Sequence, residues 1–354
     1  MTDIPEFLKK MIRTAGLSGY ESAIRELIEE AWRPFTDELS ISRIGSLQGL
    51  KRGSGAEPRP SILIAAHMDA IGLMVTRLRD GFLHVTGIGG IDARVLPGQL
   101  VTVHGRETIS AVVVEPPSWL LPPDDRSGST SLGGLLVDTG LPADRVSDLV
   151  RPGDLVSFAS EPVMLGKEQL AGHSLDNRAS VAALTHALDL LQTRDHRWDV
   201  WAVATVQEEE TLGGAMTSAY DLQPDLAIAV DVTHGKGPGS PPDKTFPLGD
   251  GPALGLGPNV HPGVYRAVKA AADRIEMKTQ LEAMPRHSGT DAYGLQITQA
   301  GIPTMVISIP LRYMHTPVEV VHLKDITRTG RLLAEFIGGL EVDLMKKLSW
   351  DEEV

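Results

Sequence analysis

Four runs of this sequence are apolar almost from end to end: SILIAA (61–66), WDVWAVATV (198–206), DLAIAVDV (225–232) and TMVISIPL (304–311). None alternates between apolar and polar residues, so none has a face to give to water. Strands of that kind are buried on both sides. From residue 175 onward they are separated by helical patterns, NRASVAALTHALDLLQ (177–192), VYRAVKAAADRI (264–275) and HLKDITRTGRLLAEFIGGL (322–340). Strand–helix alternation with doubly buried strands predicts an α/β fold, a mixed and mostly parallel sheet sandwiched by helices.

The middle of the chain is different. Between about 74 and 163 it is rich in Gly, Pro and Val and has no helical period: GIGGIDARVLPGQLVTVHG, ISAVVVEPP, a polar loop PPDDRSGSTS (122–131) and RPGDLVSF. This predicts a small all-β module. Helices are expected at 5–14 and 20–35, the second placing Ile24, Leu27, Ile28 and Trp32 on one face, and short strands from about 37 to 87. Residues 235–258 read as a long loop, and no internal repeat is present. A length of 354 residues exceeds what one core usually holds. The expected organisation is a discontinuous domain, 1–73 and 164–354, interrupted by a β-rich insertion, 74–163.

Charge and composition narrow the function. A formal net charge of −13 argues against nucleic acid as a partner and against an anionic membrane surface. No apolar stretch reaches the roughly 18 residues of a membrane span. The opening MTDIPEFLKK has no apolar signal-peptide core, and the chain has no Cys, which together suit a cytoplasmic protein.

In open α/β sheets, ligands bind beyond the carboxyl ends of the strands. Here those ends carry chemistry. SILIAA runs into His67-Met68-Asp69, WAVATVQ into Glu208-Glu209-Glu210, LAIAV into Asp231, and TMVISIPL into Arg312-Tyr313-Met314-His315; Asp176 opens the long helix. Each has an ordinary reading alone: a helix N-cap for Asp176, a core histidine for His67, a loop residue for Asp231, a turn residue for His315. Together they would place several carboxylates at one edge, where they repel unless a cation neutralises them. Two His with three carboxylates is a ligand mix for Zn2+, with Co2+ or Mn2+ as alternatives, and not for Ca2+. His67 and Asp69, two apart on an extended segment, can face one side, so that one binds metal and the other orients the imidazole. Adjacent Glu208 and Glu209 point different ways, so one can ligate and the other act as a base.

The stretches AAHMDAIGLMV, GGIDARVLPGQ, LDNRAS, TVQEEETLGGA, AVDVTHG, SGTDAY and RYMHTPVEVV, in this order from residue 65 to 321, resemble the dimetal aminopeptidases of metallopeptidase family forty-two, the tetrahedral (TET-type) enzymes. His67 and Asp176 lie 109 residues apart and Asp231 and His315 only 84, which puts the insertion where that family carries its dimerisation domain. The resemblance implies a zinc-peptidase-like fold with a β-barrel-like insertion. It implies two divalent metal ions, one held by His67 and Asp231, the other by Glu209 and His315, with Asp176 bridging. Asp69 would orient His67. Glu208 would be the general base, acting on a hydroxide held between the metals. Substrates would be peptides with a free N-terminus, and the assembly a homo-oligomer, dimers building a tetrahedral dodecamer. Glu210 receives no role and reads as solvated. His287 and Arg312 are candidates for the substrate pocket, with loop hydrogen bonding as the ordinary alternative. The chain departs from the family pattern at Glu210-Thr211-Leu212-Gly213, where Glu-Glu is usually followed by Val-Gly-Leu-X, often with Arg at X, and at His173. Two rivals remain at this point. A glycoside hydrolase would need two carboxylates and no metal, and sugar platforms usually use aromatic surfaces in a chain that is here only 5% aromatic. A silent metal-binding scaffold would have no need of a free Glu208.

Overall fold

The structure, a computed structural model, describes residues 2–117, 119 and 130–348. Two helices open the chain, α1 (Ile4–Arg13) and α2 (Ser22–Trp32), followed by strands β1 (Glu38–Ile41), β2 (Leu47–Lys51) and β3 (Ser61–His67). Next come β4 (Gly72–Arg79), β5 (Phe82–Ile88), β6 (Leu100–His104), β7 (Thr108–Val114), β8 (Leu136–Asp138), α3 (Ala143–Leu149) and β9 (Leu155–Phe158). The chain continues through β10 (Val163–Leu165), β11 (Gln169–Gly172), α4 (Leu175–Leu190), β12 (Asp199–Thr205), α5 (Glu208–Thr211), α6 (Gly213–Leu222) and β13 (Leu226–His234). It ends with β14 (Ala253–Leu256), α7 (Pro262–Arg274), β15 (Gln280–Ala283), α8 (Asp291–Gln296), β16 (Thr304–Arg312), β17 (Glu319–His322), α9 (Leu323–Gly338) and α10 (Leu344–Lys347).

The large sheet runs β1-β2-β12-β3-β13-β16-β17-β11-β10, with β14 and β15 branching from β16. Its four central strands, β12-β3-β13-β16, pair in parallel. They are the four apolar runs of the sequence, and β13 and β16 are buried over all but their last residue. The flanks pair antiparallel, β2 on β12 at one side and β17 on β16 at the other. The central parallel strands are thus the ones covered on both faces, while β14 and the half-exposed β15 form a further parallel pair on the branch. On one face lie α4 and α9, with α1 and α2 against α4; on the other lie α6 and α8. Helix α4 is buried nearly all round, from Leu175 to Thr185 without a break, as a helix between a sheet and other helices must be. The Trp32 indole N–H donates to Thr185 Oγ1 at 2.8 Å and locks α2 to it.

Strands β4-β5-β8-β7-β6-β9 close into an antiparallel barrel. Leu73, Val75, Leu83, Val85, Val101, Val103, Val113, Val137 and Val156 fill a hydrophobic core of its own, separate from that of the sheet. They alternate along each strand, as barrel interiors require. The expected all-β texture holds except for α3, which buries Val146 in that core and packs Leu149 against it; a helix of 7 residues is too short to show a period in the sequence. The stretch 235–258 is not loop throughout, since β14 pairs with β15 and β16. The expected polar loop 122–131 lies, except for its last two residues, outside the described residues. No described helix is long and apolar enough to cross a membrane.

The connections matter for the site. The chain leaves β3 through Met68–Ile71 and enters the barrel at once; it returns through β9, β10 and β11 into α4. The barrel therefore hangs between two of the segments that carry the chemistry.

Candidate metal centre

The carboxyl ends of β3, β12, β13 and β16 and the start of α4 converge on a cavity of about 510 Å3. His67 ends β3 and is buried. Its Nε2 lies 3.1 Å from Asp176 Oδ1, 3.6 Å from Glu208 Oε2 and 3.8 Å from Asp231 Oδ1. His315, on the turn after β16, points its Nε2 at the other oxygen of Asp176, 3.4 Å away, and at Glu209 Oε2, 3.5 Å away. One Asp176 carboxylate thus faces an imidazole on each side, with Asp231 beside the first and Glu209 beside the second. Donor atoms of His67, Glu208 and Asp231, and of His67, Asp176 and Glu209, lie within 4.8 Å of one another. The structure brings together all seven residues singled out above.

Asp69 does more than its spacing suggested. Its Oδ1 is 3.4 Å from His67 Nδ1, and its two carboxylate oxygens accept the backbone N–H groups of Glu208 and Glu209 at 3.1 and 3.2 Å. It therefore orients an imidazole and caps the loop that carries the glutamates. That loop is tightly turned: Gln207 and Leu212, on either side of α5, have φ of 58° and 56°. His315 also sits at positive φ, 60°. Non-glycine residues in this region cost energy and concentrate at functional sites.

Several supporting residues had no local signature in the sequence. Glu319, in β17, is buried and accepts the N–H of Asp176 at 3.1 Å and that of His315 at 3.0 Å. It fixes two ligand-bearing backbones from one side chain. Asp291, at the start of α8, accepts the Thr205 hydroxyl at 2.5 Å; burial pushes its carboxyl up to about 6. Glu21 Oε1 accepts the N–H of Gly19 at 2.6 Å and of Gln207 at 3.2 Å. Arg178 is a fully buried cation that donates to the carbonyls of Met11 and Thr14. Burial lowers its guanidinium to about 9 while Asp69 and Glu319 hold it charged, so it underlies the acidic floor as a fixed positive charge.

The remaining candidates separate. His287 lines the cavity and packs against the Tyr293 ring, centroids 5.0 Å apart. Arg312 does not line it; its Nε donates to the Lys236 carbonyl at 2.6 Å, the loop hydrogen bond that was its ordinary reading. His173 lies outside the cavity, packed edge-on to Phe158 of the barrel, and burial pushes its imidazole down to about 3. Glu210 is exposed, as expected, and its Oε1 also accepts the N–H of Gly89, just past β5 of the barrel, at 2.6 Å.

The electrostatics ask for cations. Burial pushes Glu208 up to about 10 and Glu209 up to about 8; for Glu208 the neighbouring Asp231, Asp291 and Asp176 oppose ionisation further, against the pull of His67. Asp231 rises well above the usual range for the same reason. Burial would lower His67, yet Glu208, Asp176, Asp69 and Asp231 outweigh it and raise the imidazole well above its ordinary value. Asp176 is also buried, but hydrogen bonds from His315 and His67 hold it below the carboxylate range. The buried Oε1 of Glu209 has no hydrogen-bond partner. Carboxylates crowded like this need protons or metal, and imidazoles with carboxylates form the donor set of a borderline divalent ion. The residues fit such ions.

The profile of the M42 glutamyl aminopeptidase family matches residues 45–332. The chain belongs to the M42 family. As an M42 protein it is a peptidase of the aminopeptidase type. It is 35% identical over 334 residues to a lysyl aminopeptidase of Pyrococcus furiosus, covering 92% of this chain and 94% of that one. Among solved structures it superposes on a TET aminopeptidase from a marine-sediment Thaumarchaeota archaeon with a TM-score of 0.92 at 28% identity, over 98% and 100% of the two chains. It superposes on the TET1 peptidase of Pyrococcus horikoshii with a TM-score of 0.82 at 29% identity, over 96% and 100%; that protein assembles into a tetrahedron or a large octahedral shell.

Proposed function

We propose that this M42 chain removes N-terminal residues from peptides at a centre of two divalent cations, Zn2+ or Co2+. His67 and Asp231 would hold one, Glu209 and His315 the other, and Asp176 would reach both. The observation that carries this is the Asp176 carboxylate, with one oxygen 3.1 Å from His67 and the other 3.4 Å from His315. Bound there, the cations supply Lewis acidity toward water and toward the scissile carbonyl.

The chain's own groups do the rest. Glu208 stands beside the two ligand pairs; bound cations would offset the crowding that keeps its carboxyl protonated without them, so that its Oε2 takes a proton from the attacking water and returns it to the nitrogen of the leaving amine. Asp69 keeps the His67 ring oriented and holds Glu208 and Glu209 by their backbone. The acidic wall receives the free α-ammonium group of the substrate, which restricts cleavage to N-termini. The barrel, residues 74–163, serves as a dimerisation module inserted into the catalytic domain of 1–73 and 164–354. The assembly is a homo-oligomer of the tetrahedral type described for the P. horikoshii relative.

The test is initial rates of chelator-stripped protein on free-amine and N-acetylated aminoacyl anilides, with and without added Zn2+ or Co2+. Activity restored by metal, on free-amine substrates alone, is the expected result. Turnover that ignores metal, or equal turnover of acetylated substrates, contradicts the proposal.

A further inference from the structure

Glu210 follows the two glutamates that the mechanism uses and has no task in it. Yet its carboxylate has a defined partner, the N–H of Gly89 at 2.6 Å, 121 residues away in sequence. A carboxylate accepting a backbone N–H is among the stronger hydrogen bonds. Gly89 and Gly90 form the barrel turn that follows β5, and that turn rests directly on the centre. A Cβ on Gly90 would stand 2.9 Å from Nδ1 of His315, and one on Gly89 would stand 3.3 Å from Oε2 of Glu209. Gly89 also has φ of 72°, where a side chain is strained. Two bare glycines thus bring backbone against both residues proposed to hold the second cation.

The loop bearing Glu210 is secured on its other sides. Asp69 holds the N–H groups of Glu208 and Glu209, and Glu21 holds that of Gln207. Those anchors belong to the sheet domain. Glu210 is the side chain of this loop that reaches across to the barrel.

We propose that Glu210 is a positioning residue. By holding the Gly89 N–H it keeps the Gly89–Gly90 turn seated against Glu209 and His315, and so fixes the geometry of that pair. This rests on the centre proposed above. Glu210 also lines the cavity, but in this proposal it touches neither reacting atoms nor metal and acts through the turn.

The experiment uses full-length protein loaded with Co2+ and compares wild type with E210A, E210Q and G90A. It reads the cobalt absorption spectrum, the rate of cobalt loss to a chelator, and kcat and KM on a free-amine aminoacyl anilide. E210A is expected to lose one of its two cations about tenfold faster and to lose kcat at least about tenfold, with KM within about twofold, because small displacements of a catalytic group cost orders of magnitude. E210Q, whose amide oxygen still accepts the Gly89 N–H, restores most of the loss. G90A presses a methyl on His315 and reproduces the metal-retention defect with Glu210 intact. Wild-type spectrum, retention and kcat in E210A overturn the proposal, and so does an E210Q as impaired as E210A. Should E210A fail to fold, unchanged cobalt retention in G90A overturns it instead. Failure of the centre itself has a different signature: two cobalt ions would not bind to the wild type at all.

Discussion

Glu208 and Glu209 are neighbours in the chain and diverge in space. One reaches toward His67 (3.6 Å) and the other toward His315 (3.5 Å). Replacing Glu208 with Gln keeps size and polarity but removes the group proposed to carry the proton. The expected outcome is a kcat lowered at least about 100-fold with metal content unchanged, checked by steady-state rates and metal analysis on the same sample. Glu319 shows the opposite behaviour, a residue that never meets substrate. Glu319→Ala strands the buried N–H of Asp176 and the half-buried N–H of His315 together. At about 1–3 kcal/mol for each unpaired buried donor, the denaturation midpoint falls, and metal is lost to a chelator roughly 10-fold faster. Unchanged metal retention in that variant would show that Glu319 does not hold the ligands.

At the scale of elements, the four central strands were legible because doubly buried strands leave continuous apolar runs. Their polar ends were legible because a buried run seldom stops on adjacent carboxylates. Six of the seven residues lie at or just past those ends and could be picked out for that reason; Asp176 stood out as the acid that opens α4. Glu319, Asp291 and Glu21 could not. Each works by accepting a backbone N–H or a hydroxyl, which selects for an acid but prints no pattern. Glu319 in TPVEVV reads as one polar residue in a strand. Strands β14 and β15 escaped because each has four residues, too few for a period. The walls of the cavity carry a further consequence. Its lining includes Glu208, Glu209, Glu210, Leu212, Val232 and Met314 and, among the described residues, has no Lys or Arg. An acidic N-terminal side chain finds like charge there and no counter-ion. Leucyl and lysyl anilides are expected to turn over at least about tenfold faster than glutamyl anilide, measured as kcat/KM; a glutamyl preference would mean that a cation outside these walls reads the side chain.

For the whole molecule, the centre makes stability depend on pH in an unusual direction. Glu208 and Glu209 rise from 4.5 to about 10 and about 8 on folding without metal. Between those limits the folded state binds more protons than the unfolded one, so stability falls as pH rises. His67, raised above 6.5, acts the same way: its contribution is complete below that value and is lost as pH climbs through its folded value. Asp176, held low, has already made its contribution above its unfolded value of 3.8. Metal-free protein is therefore expected to lose Tm from about pH 5 to about pH 9, while the metal-loaded form does not, so that the gap widens. Calorimetry of the two forms across that range checks it, and uptake of Zn2+ at neutral pH should release protons in buffer-dependent titration calorimetry.

The centre is also spread along the chain. His67 sits in the first fifth of the sequence, while His315 and the Glu319 that holds it arrive near the end. A ribosome must finish β17 before the second imidazole exists in place. A nascent chain stopped short of it has one half of the ligand set and an incomplete sheet. On the proposed centre, a peptidase built this way cannot cut until β17 has been made.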